Sequence, residues 1–429
     1  MKIKLLLALL IVQFGFSQQR TCGVKEQMQI IMNNPAAKKE YLQMQDKFKL
    51  ELNKLAVAEL NKSANSTLST NQVLRIPVAV HFPSVVAGSL NVALRSCLVQ
   101  LAQSQINILN ADYNGTNADI SNWNTASTFF PGVNTGNMNV SFELATQNHP
   151  SGSGLGFPVN GSPAVTFGTD FLSGADSDAT WAGYCNLVVR NISGNILGYS
   201  PLGGSPSSGM TVVIDNEAFG TTLTTSPSTC TGYVPGAPFN LGRTLTHELG
   251  HFFNLDHTFE SCDGSNCATS GDLICDTPPS NLEAYGCPAA GSVSSGCGNL
   301  QLTMNYMDYV NDACMYMFTA GQTARMIAWY NTILPTLKPN VLGSTDFMAS
   351  NIALAPNPNN GTFTIQFKDL SLGYSVEVFD VSGRILYQNN FNASSDLLQT
   401  VKLEDSAKGV YFVNLKSNGT LLTKKIIIE

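Results

Sequence analysis

The chain has 429 residues, of which 43% are hydrophobic and 12% are charged, with a net charge of −7. This composition excludes a disordered chain and leaves room for two or three globular domains. Residues 18–75 carry nine Lys/Arg against five Asp/Glu, whereas residues 76–345 carry five against seventeen. The acidic body argues against nucleic acid as a partner, and the opposite charges predict that the basic N-terminal segment docks on it.

The first seventeen residues have the pattern of an export signal. Lys2 and Lys4 precede an apolar run over 5–12, and Ser17 supplies a small residue at the predicted cleavage point. A membrane-spanning helix needs about 20 apolar residues, so no membrane span is expected. The sequence therefore predicts a signal peptide over 1–17 and a secreted or cell-surface location. Export also makes the ten cysteines candidates for disulfide bonds.

A helical segment is predicted next, over residues 18–72. Strong helix formers dominate residues 24–60, and Pro35 predicts a break between two helices. The polar stretch 61–72 is a candidate site for proteolytic processing.

The pattern of apolar and polar residues in the remainder of the chain changes once. Over residues 73–340, β-branched alternating runs mix with a long amphipathic stretch at 90–114, which indicates an α/β body. Over residues 350–429, short alternating strands separated by Gly, Asn and Ser turns predict a small all-β sandwich.

Three of the five histidines lie within the run HELGHFFNLDH. On a helix, His247 and His251 project from one face, and Glu248 beside them can take a proton from metal-bound water. Zinc requires a third protein ligand, so the chain must turn back to bring in His257. Asn254 lies at that bend, where few residues other than glycine tolerate the left-handed conformation. Satisfied core histidines are the alternative, but three at ligand spacing beside a glutamate favour zinc.

This motif resembles that of the metzincin metalloendopeptidases, and HELGHFFNLDHTF is most similar to the pappalysin branch. The run NYMDY at 305–309 resembles the methionine turn, with Met307 as its methionine, and GDLICDTPP and FTAGQTARM resemble further pappalysin segments. The resemblance spans about residues 73–335 and implies a metzincin-type catalytic domain with a twisted mixed sheet and an active-site helix. It implies a secreted zinc endopeptidase acting on proteins or peptides, with Glu248 as proton shuttle and Tyr309 donating to the oxyanion. Asn254 departs from the usual glycine. Met307 as core filler and Tyr309 as a buried turn residue are the alternatives.

The resemblance also implies a calcium site and a set of disulfides. Calcium would be bound by the side chains of Asp272 and Thr277 and the carbonyls of Gly271 and Ile274, with a plain turn as the alternative. The family's two disulfides would correspond to Cys262–Cys297 and Cys287–Cys314. Cys267–Cys275 and Cys185–Cys230 would be additional pairs, although the sequence cannot establish connectivity.

Cys22 lies in QRTCGV and resembles the Arg-Cys-Gly switch with which pro-segments block the zinc of metzincins. A thiolate bound there would displace the catalytic water, which implies a latent zymogen with its own pro-segment as partner. Thr21 separates Arg20 from Cys22, which argues against a salt-bridging role for Arg20. A Cys22–Cys97 disulfide is the alternative, although Cys97 in a helix is equally natural as a buried free thiol.

Asp312 lies five residues after Met307, on the segment that in metzincins forms the wall of the pocket for the residue after the scissile bond. In pappalysins that prefer Arg or Lys there, an acidic residue at the matching position supplies the counter-charge. The resemblance therefore implies a preference for Arg or Lys, because a carboxylate forms a strong charge-assisted pair with either side chain. A surface carboxylate or a turn cap is the alternative.

The C-terminal sandwich resembles the sorting domain of type IX secretion, in the runs APNPNNGTFTI, VEVFDVSGRIL and KGVYFVNLKSNG. This resemblance implies the secretion machinery as a partner, and an adhesive or substrate-binding module is the alternative. For the whole chain, the rival hypotheses are a catalytically silent secreted adhesin and a zinc hydrolase of non-peptide substrates. The intact set of three histidines and Glu248 argues against the adhesin.

Overall fold

The structure, a computed structural model, describes residues 20–62, 73–150, 155, 158–168, 171, 177–221, 230–263, 266–267, 269–342, 352–367, 374–391, 395–403, 406–417 and 420–429. The signal peptide predicted over 1–17 lies outside them, as does most of the predicted processing stretch. Among the described residues, no helix combines the length and the apolar character needed to cross a membrane.

The N-terminal segment forms two helices, α1 (Val24–Asn33) and α2 (Pro35–Lys62). Pro35 begins α2 because the first turn of a helix has no partner for its N–H groups, so a missing donor costs nothing there. The side chain of Asn34 accepts hydrogen bonds from the backbone N–H groups of Ala36 and Ala37 and so caps the helix. The break between two helices lies where the sequence predicts it.

The body is built on a six-stranded sheet with the order β2-β1-β4-β6-β5, to which β3 adds by pairing with β1. All pairs are parallel except β5 with β6, which is antiparallel. The strands are β1 (Leu74–Phe82), β2 (Val140–Leu144), β3 (Val165–Phe167), β4 (Cys185–Arg190), β5 (Gly198–Tyr199) and β6 (Thr211–Asp215). In β1 the last seven residues are all buried, as expected of a parallel strand covered on both faces.

Among its described residues the body also contains four α-helices, of which the first and the third pack against the sheet. They are α3 (Val92–Tyr113), the single turn α4 (Trp123–Ala126), α5 (Arg243–Phe252) and α6 (Ala320–Ile333). Asn91 caps α3 by accepting the N–H of Leu94 at 2.8 Å. Every residue of α5 is buried, so this helix runs through the core beneath the N-terminal segment. The predicted α/β body, with a mixed sheet and a central helix, is confirmed.

The C-terminal part consists of two antiparallel sheets, a four-stranded one with the order β10-β9-β12-β13 and a three-stranded one with the order β11-β8-β7. Its strands are β7 (Ile352–Ala355), β8 (Thr362–Phe367), β9 (Tyr374–Asp380), β10 (Ile385–Phe391), β11 (Leu398–Lys402), β12 (Gly409–Ser417) and β13 (Thr420–Ile428). The two sheets share an apolar core of their own, which confirms the predicted all-β sandwich.

Three disulfides pair as the resemblance implies: Cys262–Cys297, Cys267–Cys275 and Cys287–Cys314. The fourth prediction is wrong, because Cys230 bonds to Cys97 and Cys185 is a buried free thiol. Cys97 lies on the buried face of α3, with its Cα 5.5 Å from that of Cys230, whereas Cys185 begins the central strand β4. The same bond also excludes the alternative Cys22–Cys97 pair.

Candidate active site

Helix α5 carries His247, Glu248 and His251 and ends immediately after them. At the bend, Asn254 has φ 68°, in the left-handed region that asparagine tolerates. The N–H of Leu255 donates to the carbonyl of Gly250 at 2.9 Å and closes the helix. The chain therefore reverses and returns His257 to the face that the two helical histidines share, as the motif predicts.

The three imidazoles converge through their Nε2 atoms. His251 Nε2 lies 3.2 Å from His247 Nε2 and 3.2 Å from His257 Nε2. Nitrogen ligands at about 2.0–2.1 Å around a tetrahedral zinc are about 3.3–3.4 Å apart. The observed spacing is therefore that of three ligands of one ion.

The hydrogen bonds at the opposite ring nitrogens fix the tautomers of two of these histidines. His247 Nδ1 contacts the carbonyl of Tyr306 at 2.7 Å, and His251 Nδ1 contacts that of Leu255 at 2.8 Å. A carbonyl only accepts, so both Nδ1 atoms carry the proton and both Nε2 lone pairs face each other, which a shared cation stabilises. Burial, followed by the charges of neighbouring histidines, lowers the pKa of His247 and His251 well below the ordinary range. Both rings therefore suit a metal, which requires neutral imidazole.

Glu248 is buried beside this cluster. Burial raises the pKa of Glu248 to about 8, while the Cys22 hydrogen bond and the Arg20 charge act in the opposite direction. The Cys22 thiol donates to Glu248 Oε2 at 3.3 Å. A carboxyl with a pKa near neutrality can both take and release a proton, which is what a proton shuttle requires.

The segment below the helix brings Met307 and Tyr309 to the site. A Cβ on Gly250 would lie 2.4 Å from Met307 Sδ, so the glycine between the two helical histidines allows the methionine to pack against α5. The ring centre of Tyr309 lies 5.7 Å from that of His247 and 5.0 Å from that of His257. Burial is the main cause that raises the pKa of Tyr309, so its hydroxyl stays protonated and can donate.

Residues of the N-terminal segment occupy the cleft. The Cys22 sulfur and the three histidine nitrogens all lie within 4.8 Å of one another, a group that could hold one metal ion. The segment pairs in parallel with β5, where Gly23 N donates to Gly198 O at 3.0 Å and Leu197 N donates to Thr21 O at 3.1 Å. Cys22 is therefore held at the cluster by backbone hydrogen bonds on both sides.

Arg20 forms a buried ion pair with Asp312, with Nη2 at 2.5 Å from Oδ1. The prediction that Arg20 does not form a salt bridge is therefore wrong. Side chains two residues apart in an extended strand lie on the same face, so Arg20 shares a face with Cys22. Thr21 therefore turns away from the cleft and bonds to the carbonyl of Asn195, while Arg20 and Cys22 both point inward. Arg20 also lies over the ring of Phe239, at 5.1 Å from its centre.

Asp312 is fully buried and is fixed by the start of α5. Its Oδ2 accepts the N–H groups of Leu241 at 2.8 Å and Arg243 at 3.2 Å, which leaves Oδ1 for the Arg20 guanidinium. The carboxylate therefore caps the turn at the start of α5 and also pairs with a buried basic side chain.

The predicted calcium residues cluster in one turn. The Thr277 hydroxyl oxygen lies 2.9 and 2.7 Å from the two carboxylate oxygens of Asp272 and 3.0 Å from the carbonyl of Ile274. The Thr277 hydroxyl has one proton and can donate to only one of these three oxygens at a time. The other two oxygens therefore receive no hydrogen bond from this hydroxyl. Burial raises the pKa of Asp272 to about 7, and hydrogen bonds from Thr277 and the Ile274 backbone oppose it. Gly271 has φ 66° at the start of this turn.

Two contacts at the site were not predicted from the sequence. The Gln45 and Asn254 side-chain amides exchange two hydrogen bonds of 3.2 Å, which ties α2 to the histidine turn. Glu260 Oε1 lies 3.2 Å from His257 Nδ1. Its position three residues after the third histidine was the available signal, but only the fold shows that the chain curls back onto the ring.

Family models match two parts of the chain. One, a peptidase M43 model described as pregnancy-associated plasma protein-A, matches residues 233–331. The other, described as a secretion system C-terminal sorting domain, matches residues 353–429. The first range includes the histidine motif and the methionine turn, and the second includes most of the sandwich.

Two relatives that match parts of the chain are extracellular metalloproteases. An extracellular metalloprotease of Pyricularia oryzae is 31% identical over 280 residues, which cover 64% of this chain and 82% of that protein. Another, of Verticillium alfalfae, is 48% identical over 96 residues, which cover 22% of this chain and 33% of that protein.

Two similar solved structures are of proteins from Tannerella forsythia. Mature mirolysin in complex with a cleaved peptide is 28% identical and covers 62% of this chain and 99% of its own, with a TM-score of 0.45. A promirolysin mutant is 25% identical and covers 75% of this chain and all of its own, with a TM-score of 0.49.

The family models and the Pyricularia relative confirm the pappalysin and sorting-domain resemblances that the motifs indicate. The chain therefore belongs to the peptidase family described as pregnancy-associated plasma protein-A, and it is a secreted metalloendopeptidase with a C-terminal sorting domain.

Proposed function

We propose that this metalloendopeptidase uses zinc held by His247, His251 and His257 and is made as a latent zymogen. The observation that carries the proposal is the position of His251 Nε2, which lies 3.2 Å from the Nε2 atoms of both His247 and His257 and is buried beside Glu248. When bound, zinc polarises the scissile carbonyl and lowers the pKa of its water. No adhesive role would require a buried glutamate at this position.

Glu248 and Tyr309 perform the proton and charge chemistry. Glu248 takes a proton from the attacking water and passes it to the leaving amine, which its buried position beside the histidine cluster supports. Tyr309 donates from its hydroxyl to the developing oxyanion, and its protonated state is supported by the raised pKa. Asn254 and Met307 hold the histidine turn and the floor of the site.

The latent state is maintained by the N-terminal segment. Cys22 acts as the fourth ligand and excludes the water that Glu248 would activate, which its place among the three histidines supports. Arg20 fills the pocket in front of Asp312, so the segment occupies both the metal and the specificity pocket.

The enzyme prefers Arg or Lys directly after the scissile bond. This proposal is supported by the Arg20–Asp312 pair, in which a basic side chain already occupies the pocket and a buried carboxylate neutralises it. An arginine of a substrate would replace Arg20 once the segment is released.

Calcium stabilises the turn that contains Asp272 and Thr277. The excess of oxygens over protons around the Thr277 hydroxyl supports a hard cation with oxygen ligands. The carbonyls of Gly271 and Ile274 complete the proposed ligand set.

The domain plan follows the chain order. We assign residues 1–17 to the signal peptide, 18–72 to the pro-segment, 73–340 to the catalytic domain and 350–429 to the sorting domain. The family match over residues 353–429 supports export through a secretion machinery that recognises this sandwich.

Casein hydrolysis by the processed protein tests the proposal. Activity should disappear when a zinc chelator is added and return when zinc is restored. A processed, folded protein that never cleaves casein would support the silent adhesin. Cleavage of non-peptide esters but not of casein would support the third hypothesis.

A further inference from the structure

The three imidazoles of the site differ in what their outer nitrogens contact. The Nδ1 atoms of His247 and His251 contact backbone carbonyls, one in the segment below α5 and one in the turn that follows the helix. His257 Nδ1 instead faces a side chain, the Glu260 carboxylate, at 3.2 Å. Because His257 lies after the helix has ended, no helical backbone fixes its ring.

We propose that Glu260 is a positioning residue for His257. Its carboxylate accepts a hydrogen bond from the Nδ1–H group of His257. The proton is thereby kept on Nδ1, and the lone pair of Nε2 is free to face the metal. This inference rests on the proposed zinc site and adds to it a residue outside the HELGHFFNLDH motif.

The geometry around Glu260 supports this role. The His257 side chain is only 1% exposed and that of Glu260 is 22% exposed, so their contact is partly desolvated and screened less than a surface pair. A carboxylate that accepts from a metal-binding histidine also raises the basicity of the ring, and loss of such a partner typically lowers metal affinity 10–100-fold.

Two neighbours offer competing explanations. The Phe259 ring stacks on His257 at 4.7 Å with an interplanar angle of 12°, so stacking alone could hold the ring plane. Lys25 lies 3.5 Å from Glu260 Oε1, so the carboxylate could serve only to anchor the N-terminal segment. Neither neighbour selects the tautomer of His257, because neither contacts its Nδ1 with an acceptor.

The test measures zinc affinity by chelator competition on the full chain, for wild type, Glu260→Gln and Glu260→Ala. Glutamine retains an oxygen that accepts the Nδ1 proton but lacks the charge, so it should bind zinc with intermediate affinity. Alanine should bind about 10–100-fold more weakly than wild type. In cobalt-substituted protein, the intensity of the visible absorption bands should follow the same order, highest in wild type, intermediate in Glu260→Gln and lowest in Glu260→Ala.

Controls separate the role of Glu260 from general effects. Glu217 is exposed, so Glu217→Gln removes the same charge from the acidic body and should remain within twofold of wild type. Repeating Glu260→Ala in a Lys25→Ala background should give the same loss, because the effect passes through His257.

Three outcomes would overturn the inference. Glu260→Ala within twofold of wild type would assign the ring orientation to Phe259. Equal losses in the glutamine and alanine variants would exclude orientation through an accepted hydrogen bond. If Glu260→Ala no longer weakens zinc binding in the Lys25→Ala background, Glu260 serves only to anchor the N-terminal segment. Failure of the wild-type chain to bind one zinc would instead contradict the proposed function itself.

Discussion

Glu248 lies next to a predicted zinc ligand but contacts the Cys22 thiol with its own carboxyl. Because the role proposed for Glu248 is to shuttle a proton and not to bind the metal, we expect processed Glu248→Ala to retain one zinc per chain. Casein hydrolysis should fall by about 10²–10⁴-fold, the usual contribution of a general acid–base group. His251→Ala should lose both zinc and activity. Near wild-type cleavage by Glu248→Ala would refute the assigned mechanism.

Asp312 offers one oxygen to the start of α5 and one to Arg20, so asparagine can preserve the first contact while removing the charge. Profiling a peptide library with the processed enzyme should show cleavage before Arg or Lys, and Asp312→Asn should abolish that preference. A desolvated charge-assisted pair contributes about 1.5–3 kcal/mol, or about 10–150-fold in preference.

The salt dependence of that preference provides a second check. A buried carboxylate is screened weakly, whereas attraction between a basic peptide and the acidic body falls as salt rises. Discrimination at the pocket should therefore persist at high salt. A wild-type preference for large apolar residues would contradict the proposed pocket.

At the scale of single elements, strand β1 contains a histidine that the site does not use. His81 is buried, with Nδ1 at 2.8 Å from the Thr166 hydroxyl on β3 and Nε2 at 3.1 Å from Asn186 Oδ1 on β4. Burial lowers its pKa to about 3, while Asn186 and Asp178 act in the opposite direction. The ring therefore joins three strands as a neutral group.

This depressed pKa predicts acid lability of the sheet. The unfolded chain, with a pKa near 6.5, binds the proton first, so stability from neutral His81 is lost as the pH falls from about 6.5 toward 3. The full loss is on the order of 5 kcal/mol. We expect the free energy of unfolding to decline less steeply over this range in His81→Gln, measured by urea titration at several pH values. If the free energies of unfolding of wild type and His81→Gln decline in parallel with pH, His81 is not the cause of the acid lability.

Sequence reasoning succeeded for elements whose chemistry depends on local spacing. The HELGHFFNLDH run predicts a helix, a left-handed turn at Asn254 and three converging histidines, because helical periodicity places His247 and His251 on one face and a third zinc ligand requires the chain to turn back. It failed for Cys97–Cys230, because 133 residues separate these cysteines and only the packing of α3 brings them together. It also failed for Arg20, whose partner Asp312 is 292 residues away and whose direction depends on strand pairing with β5.

For the molecule as a whole, the charge difference between the N-terminal segment and the body predicts docking. Two such contacts lie among the described residues, Arg20 with Asp312 and Lys25 with Glu260. The buried pair lies in the cleft and the exposed one beside it, so docking and obstruction of the cleft involve the same residues.

The position of the N-terminal segment in the cleft predicts how the full-length precursor behaves when the Cys22 thiol is removed. Cys22→Ala removes the proposed fourth ligand, so water can enter, and the full-length chain should cleave casein without processing. Cys22→Ser, which preserves the shape but binds zinc poorly, should behave in the same way. Intact Cys22→Ala precursor that stays silent would show that obstruction by Arg20 suffices for latency.

The contact between α2 and α6 has an optical consequence. Phe48 of α2 lies with its ring 5.5 Å from that of Trp329, an indole that is fully buried in the latent chain. The chain has three tryptophans, and Trp329 is the one that α2 covers among the described residues. Departure of the segment would open this indole to solvent and shift its emission to longer wavelength. Maturation of the enzyme would then carry its own fluorescent signal, readable without substrate or label.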